Sequence, residues 1–205
     1  MGKTLYLASS SPRRREILTR LGFPFRLLLP DGEEDCAIRE PAALVRTLGE
    51  RKARSAFAKL TEAERRDALI LACDTVVSVG EEILGKPKDR NDARRMLHLL
   101  SGREHEVYSG ISVMTEKKLV AREECTRVRF ARLTDREIDA YLATGEPDDK
   151  AGAYAVQGIG ALWIEGIEGC YFNVMGLPVR RVYTVLREEF GADPFSLQKR
   201  NDSAE

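Results

Sequence analysis

Apolar runs and polar turns alternate at the start of the chain. Residues 4–8 would place Leu5 and Leu7 on one face and Tyr6 on the other, which predicts a short strand. A helix is predicted to begin at Ser11 and Pro12, because proline in the first helical position gives up no hydrogen bond. Gly22 is predicted to end that helix. The apolar run 23–29 then predicts a second strand.

Helical and strand-like periods alternate through the middle of the chain. Apolar residues three and four positions apart indicate amphipathic helices, whereas continuous or alternating apolar runs indicate strands. Asp74 is predicted to end a buried strand, and Thr61 with Glu64 has the spacing of a capping box. The predicted elements are helices over 41–59 and 89–100 and strands over 68–73, 75–79, 106–114 and 119–131.

The last third of the chain is rich in glycine between two predicted helices. Thr134 and Glu137 form a second capping-box pattern, which predicts a helix to about Leu142. Pro178 begins a final helix that reaches about Phe190. Because strands alternate with helices but also occur in pairs, a mixed α/β sheet is expected. We expect one domain over residues 1–192 and a polar tail over 193–205.

Charge and composition narrow the possible partners of this 205-residue chain. Lys and Arg total 33, as do Asp and Glu, so the formal net charge is zero. A zero balance provides no global field for a polyanion, so no nucleic-acid partner is expected. No apolar run approaches the length of a membrane span, and the first arginines follow rather than precede the apolar run. These features predict a cytoplasmic protein with no membrane contact.

Cysteine and histidine give little support for a zinc or disulfide site. The four cysteines are too far apart in sequence for a metal knuckle or a redox pair, and there are two histidines. His105 is expected to be a structural hydrogen-bonding residue. Trp163 and Tyr171 are expected in the core or at an interface. The cysteines are Cys36, Cys73, Cys125 and Cys170.

The string SSSPRRR at residues 9–15 could bind an anion. It joins a predicted strand to a helix start, where unpaired N–H groups and the helix dipole favour negative charge. Arginines in the first turn of that helix, Arg13 among them, add forked donors that match phosphate oxygens. Read alone, the string is more typical of an ordinary capped helix with solvated arginines.

Carboxylates and lysines supply further candidates. Asp74 follows a buried apolar run, where it could take a proton from water, hold a divalent cation or simply turn the chain. Lys86 lies between Gly85 and Pro87 and could neutralise a phosphate or be a solvated turn residue. Lys52 could reach a cleft or lie on a helix surface.

Two loops carry polar groups whose roles the residues alone leave open. The acidic loop at residues 33–35 could attract Mg²⁺ or Mn²⁺ when a phosphate completes the coordination shell, or could be solvated. Gln157 lies between glycine-rich turns, and its amide offers the donor and the acceptor that suit a pyrimidine edge. A glutamine that holds its own loop together is the alternative.

In order along the chain, these motifs resemble the Maf family of nucleoside triphosphate pyrophosphatases. The resemblance covers about residues 4–190 and rests on ordered strings rather than on one motif. These strings are LASSSPRR at 7–14, ERKA at 50–53, ACDTVV at 72–77, GKP at 85–87 and LSGREHEV at 100–107. The strings YAVQG at 154–158 and GCYFNVMGLP at 169–178 resemble the subgroup that acts on dTTP and UTP.

The resemblance implies a fold and a reaction. The fold would be mixed α/β, with an elongated twisted sheet and flanking helices in two lobes around a cleft, as in the inosine triphosphate pyrophosphatases. The reaction would hydrolyse dTTP or UTP to the monophosphate and pyrophosphate with Mg²⁺ or Mn²⁺, and modified pyrimidine nucleotides are further candidate substrates. A homodimer is also implied. A regulatory nucleotide-binding protein that restrains septum formation is the alternative.

The resemblance also assigns roles to residues. Asp74 matches the proton acceptor and is also a candidate metal ligand. Glu34 matches a cleft acid that handles metal, although the chain has Glu33-Glu34 where the family has an Asp-Glu pair, so both glutamates are candidates. Ser109 replaces a usual threonine and keeps its hydroxyl. The remaining matches are the specificity positions Arg13, Thr75 and Gln157 and the phosphate-side residues Ser9, Lys52 and Lys86.

Overall fold

The computed structural model describes residues 3–31 and 36–192. Glu33, Glu34 and the predicted tail 193–205 lie outside these described residues. The strands are β1 (Thr4–Ala8), β2 (Arg26–Leu27), β3 (Ala68–Val79), β4 (Glu82–Leu84), β5 (Glu104–Met114), β6 (Leu119–Phe130) and β7 (Ile164–Glu168). The α-helices are α1 (Pro12–Arg20), α2 (Pro41–Ala58), α3 (Glu62–Asp67), α4 (Arg90–Leu100), α5 (Asp135–Ala143), α6 (Tyr171–Val174) and α7 (Val179–Thr184).

Within the described residues, the strands form a single open sheet in the order β2-β1-β3-β5-β6-β7, with β4 paired to β3. β1 runs parallel to β2 and β3, whereas β3, β4, β5, β6 and β7 pair with antiparallel neighbours. Helices flank this sheet. The fold is therefore mixed α/β, which confirms the expectation from the alternating and paired predicted elements.

Strand β3 is buried on both faces, which explains its continuous apolar sequence. Leu69, Leu71 and Cys73 pack with residues of α1 and α7, whereas Ile70 and Ala72 pack against α2. Helices thus cover the two faces of the central strand. Such double burial is the reason why this segment shows no polar alternation.

Close packing of α2 on β5 requires a glycine in the strand. A Cβ atom at Gly110 would lie 2.2 Å from the carbonyl oxygen of Val45 and 2.6 Å from the amide nitrogen of Arg46. Both neighbours are backbone atoms of α2, so neither can rotate away. The glycine therefore allows α2 to approach the sheet closely enough to hold its inward side chains over β3.

Two predictions about strands are wrong. Asp74 does not end its strand, because β3 pairs with β5 without interruption and Asp74 lies opposite Gly110 in that ladder. The run 23–29 contains a strand of two residues, Arg26–Leu27, because only these two pair with β1, at Tyr6 and Leu7. The short strands β4 and β7 had no clear apolar pattern and were not predicted.

The helix predictions are largely confirmed. Both capping boxes form, with Thr61 and Thr134 as the N-caps of α3 and α5. Ser11 is the N-cap residue of α1, but its side chain makes no capping hydrogen bond. The final helix is interrupted, because α7 continues into a π-helical turn at Val185–Glu189.

Candidate active site

A cleft of about 770 Å³ opens beside the ends of β1 and β4 and the middle of β3. The described residues that carry the sequence-predicted roles come from five separate segments of the chain, and all of them line this cleft. They are Ser9, Arg13, Lys52, Asp74, Thr75, Lys86 and Gln157. Glu34 lies outside the described residues. The chemical roles of these side chains stay predictions.

Lys52 and Asp74 form a close ion pair in the cleft. Lys52 Nζ donates to Asp74 Oδ1 at 2.5 Å, and the two side chains are 16% and 9% exposed. Lys52 comes from the inner face of α2, and Asp74 comes from the uninterrupted strand β3. Oδ2 accepts no hydrogen bond from the described part of the chain. The arrangement therefore fixes the carboxylate and leaves one oxygen for a water molecule or a cation.

Arg14 connects three segments at the wall of the cleft, which its side chain helps to line. Its Nε donates to the carbonyl oxygen of Gly176 at 2.7 Å, its NH1 group to Ser9 Oγ at 3.2 Å and its NH2 group to Thr75 Oγ1 at 3.0 Å. The residue is 9% exposed. This one guanidinium thus sets the position of two hydroxyls that were predicted to contact substrate.

Sequence reasoning did not assign a role to Arg14. The signal was present, because Arg14 lies three and four residues before Ile17 and Leu18, and all three share the buried face of α1. Arg13 lies on another face of the same helix. An arginine on the apolar face of a helix must satisfy its donors internally, which marks it as a residue with specific acceptors.

Thr75 lies at the end of a chain of hydroxyls. Its Oγ1 is 2.7 Å from Ser109 Oγ, and Ser109 Oγ donates to the carbonyl oxygen of Asn173 at 3.5 Å. Ser109 is fully buried. The hydroxyl that serine shares with threonine is therefore used at this position, and Thr75 is held from two sides.

Arg13 reaches across the cleft mouth to Asp149. Its NH1 group lies 3.4 Å from Asp149 Oδ2, and Lys150 Nζ donates to Oδ1 of the same carboxylate at 2.5 Å. Burial acts to raise the pKa of Asp149, but the Lys150 hydrogen bond and the Arg13 charge outweigh it and lower the pKa. Two cations are thus gathered at one edge of the cleft.

Lys86 and Gln157 are the exposed members of the set. Lys86 follows β4, and the loop is held against the neighbouring segment by the Gly152 amide, which donates to the Gly85 carbonyl oxygen at 3.1 Å. The side-chain amide of Gln157 makes no hydrogen bond to the described residues. Both side chains are therefore available to a ligand in the cleft.

A metal site is not preformed in the part of the chain that the structure describes, since no three His, Cys, Asp or Glu residues cluster there. Magnesium commonly binds through one or two carboxylates together with substrate phosphates and water. Asp74 beside the cleft cations fits that donor chemistry. The predicted second acid, Glu33 or Glu34, lies outside the described residues.

His105 is structural, which confirms the prediction. Its Nε2 lies 2.9 Å from the Tyr154 hydroxyl, and its ring contacts Phe130 edge to face. Burial lowers the pKa of His105 to about 4. Trp163 is buried as expected, but Tyr171 is 42% exposed, so it is not a core residue and its place at an interface stays a prediction.

Comparison with known proteins gives one consistent family. A family model described as Maf-like protein matches residues 4–189. A relative from Caldanaerobacter subterraneus subsp. tengcongensis is 49% identical over 91% of this chain and 89% of its own length. Relatives from Carboxydothermus hydrogenoformans and from Clostridium botulinum (strain Kyoto / Type A2) are 48% and 42% identical, over 90% and 91% of this chain and 97% of each relative. All three are named dTTP/UTP pyrophosphatase.

None of the described helices combines the length and the apolar character that crossing a membrane requires.

Proposed function

The chain belongs to the Maf family, and from that premise we propose that it hydrolyses dTTP and UTP to the nucleoside monophosphate and pyrophosphate. One observation carries the proposal. Seven candidate residues from distant parts of the sequence line one cleft, with the Lys52–Asp74 pair among them. Three relatives with 42–49% identity over about nine tenths of this chain are named for that same activity.

In the proposed reaction, water attacks the α-phosphorus and pyrophosphate leaves. Asp74 accepts a proton from the attacking water, and Lys52 holds the carboxylate in place through its 2.5 Å contact with Oδ1. The new bond joins the water oxygen to the α-phosphorus, and the bond to the bridging oxygen breaks. Charge that develops on the leaving group is neutralised by Arg13 and Lys86 at the cleft edge.

We further propose that the reaction uses Mg²⁺ or Mn²⁺. Asp74 would supply one carboxylate oxygen, and Glu34 or Glu33 would supply another. When bound, the cation would polarise the phosphate oxygens and offset their negative charge. The donor chemistry of Asp74 next to the phosphate-binding cations supports this proposal.

Base selection is proposed to depend on Gln157, Thr75 and Arg13. The Gln157 amide carries a donor and an acceptor, which match the O4 and N3–H groups of thymine and uracil. Its lack of a partner among the described residues leaves both groups for the base. Thr75 and Arg13, which line the same cleft, would also contact the nucleotide.

The proposal extends to location, oligomeric state and domain bounds. We propose a cytoplasmic homodimer whose partner is a nucleoside triphosphate rather than a nucleic acid or a membrane. Residues 1–192 would form the catalytic domain, with 193–205 as a polar extension. The zero net charge supports a ligand that interacts with the local cleft charges rather than with a global field.

A substrate panel tests the activity. Pyrophosphate release is measured from dTTP, UTP, CTP, GTP and 7-methyl-GTP with Mg²⁺ or Mn²⁺, and dTTP and UTP are expected to be the best substrates. Absence of release from both, preference for 7-methyl-GTP, or tight nucleotide binding without turnover would contradict the proposal. The last result would favour the regulatory alternative.

The role of Asp74 is tested by Asp74→Asn. The variant should bind dTTP and lose about 10²- to 10⁴-fold in kcat, the usual contribution of a general base. Asp67→Asn is the matched control, because Asp67 is an exposed residue at the end of α3, just before β3. An Asp74 variant with the turnover of the control would remove Asp74 from the mechanism.

A further inference from the structure

The turn that carries Gln157 is fastened to the protein on both sides by two side chains, Tyr141 and Glu146. We propose that these two are positioning residues that hold the backbone of the turn from which the Gln157 side chain extends and thereby set the discrimination between pyrimidine bases. The inference rests on the proposed function, because it concerns the base end of the same site. Neither residue reaches the reacting phosphate in this proposal.

Tyr141 fastens the turn before Gln157. The Ala155 amide donates to the Tyr141 hydroxyl at 3.1 Å, and the same hydroxyl donates to Glu146 Oε1 at 2.7 Å. The hydroxyl therefore uses its donor and one acceptor in a fixed direction. The backbone two residues before Gln157 is thus tied to helix α5.

Glu146 fastens the turn after Gln157. Its carboxylate accepts the Ile159 amide at 3.0 Å through Oε2 and the Gly160 amide at 3.2 Å through Oε1. Hydrogen bonds to an ionised acceptor are stronger than those between neutral groups. With the Tyr141 contact, the carboxylate receives three donors, which holds residues 155–160 as one unit.

The sequence of the turn fits this close contact. A Cβ atom at Gly158 would lie 2.3 Å from Glu146 Oε2, so a larger residue would push the carboxylate away from the two amides. A Cβ atom at Gly160 would lie 2.9 Å from the Tyr141 hydroxyl. The glycines on the far side of Gln157 therefore provide the space into which the two anchoring side chains fit.

The anchors are themselves fixed. Tyr141 is 1% exposed, and its ring packs edge to face on Trp163 at 5.0 Å between centroids. The Glu146 amide donates to Thr144 Oγ1 at 3.1 Å, and Lys150 Nζ donates to the Glu146 carbonyl oxygen at 2.7 Å. Burial acts to raise the pKa of Glu146, but the Tyr141 hydroxyl and the two amides outweigh it and lower the pKa.

A fixed backbone matters here because a glutamine amide is ambiguous. The O4 and N3–H pattern of uracil and thymine is reversed in cytosine, and an amide that turns over can match either pattern. Discrimination therefore requires that the side chain extend from a fixed point of the backbone, because a shift of the turn would move the amide relative to both groups of the base. A mobile turn would bind every pyrimidine more weakly and distinguish them less.

Tyr141→Phe and Glu146→Gln test this proposal, with Glu165→Gln as the matched control. Glu165 is an exposed residue of β7 that pairs with Arg129 away from the cleft. In both test variants KM for dTTP should rise about 5- to 20-fold with kcat within about threefold, as expected for lost hydrogen bonds that act on binding. The ratio of kcat/KM for dTTP to that for CTP should fall about tenfold.

A purely structural role would lower the unfolding temperature without changing the base preference. A dTTP to CTP ratio within twofold of the wild type in both folded variants would therefore overturn the proposal, as would an effect confined to kcat. Glu146→Gln tests the carboxylate directly. If that variant does not fold, Tyr141→Phe decides, because it keeps the packed ring and removes only the hydroxyl.

Amide hydrogen exchange separates this proposal from the activity. A wild-type protein that is inactive on dTTP and UTP refutes the proposed function. The positioning is then decided by residues 155–160, whose amides should exchange at least about tenfold faster in Tyr141→Phe than in Glu165→Gln because their hydrogen-bonded anchor is lost. Equal exchange in the two variants would overturn the positioning role.

Discussion

Replacing Arg14 by lysine should damage both the stability and the substrate binding of this protein. The substitution keeps the positive charge but removes the planar fork that reaches three acceptors at once. Those acceptors belong to three segments, at Gly176, Ser9 and Thr75. A lysine ammonium in the same place can keep about one of the three hydrogen bonds.

The loss of stability depends on the hydrogen bonds that the three acceptors keep after the substitution. Ser9 Oγ keeps the Ser11 amide, Thr75 Oγ1 keeps the Ser109 hydroxyl, and the Gly176 carbonyl keeps the Cys73 thiol. None of them is left without a partner, so the full penalty for an unpaired buried group does not apply. Two lost hydrogen bonds to a charged donor then lower the free energy of unfolding by about 3–6 kcal/mol.

Thermal unfolding and dTTP hydrolysis measure this outcome. For a chain of this length, the loss corresponds to a Tm lower by about 6–24 °C. KM for dTTP should rise as well, because Ser9 and Thr75 lose their common support. Arg15→Lys is the control, since Arg15 is the exposed neighbour on the same helix. If Arg14→Lys matches the control in both Tm and KM, the reasoning from the three contacts is refuted.

Two further variants test the fold beneath the site. Since burial places the pKa of His105 at about 4 rather than 6.5, the unfolded chain takes up the proton first as the pH falls. Urea unfolding should therefore show that the wild type loses stability between pH 7.5 and 4.5, and that His105→Gln loses about 2–3 kcal/mol less over the same range. Equal losses in both proteins would contradict this. Gly110→Ala should lose at least about 2 kcal/mol, because its Cβ would lie 2.2 Å from the Val45 carbonyl oxygen. Gly85→Ala, with open space around its Cβ, should lose less than about 0.5 kcal/mol in the same urea measurement, and similar losses in both glycine variants would count against the close approach.

Patterns within a few residues predicted the elements that contacts between sequence neighbours stabilise. The capping boxes at Thr61 and Thr134 depend on residues three apart, and both form as expected. The length of the strand predicted over 23–29 depended instead on how many of its residues pair with β1, which no pattern within that run records. Asp74 shows the same limit, because the uninterrupted pairing of β3 with β5 overrides the turn tendency of an aspartate.

The candidate site shows why neighbouring residues can have different roles. Arg13 and Arg14 are adjacent in the first turn of α1, yet Arg13 reaches across the cleft mouth to Asp149, whereas Arg14 lies at the cleft wall and donates to the Gly176 carbonyl oxygen. Helical rotation of about 100° per residue separates their directions, and that much is readable from the apolar positions at Ile17 and Leu18. The acceptor at Gly176 is not readable in this way, since it lies 162 residues away and meets Arg14 only when the sheet and its flanking helices are assembled. The formal net charge of the chain is zero, so the role of each arginine depends on its contacts and not on the total charge. Long-range contacts hold Arg14 inside the protein and leave Arg13 at the cleft edge.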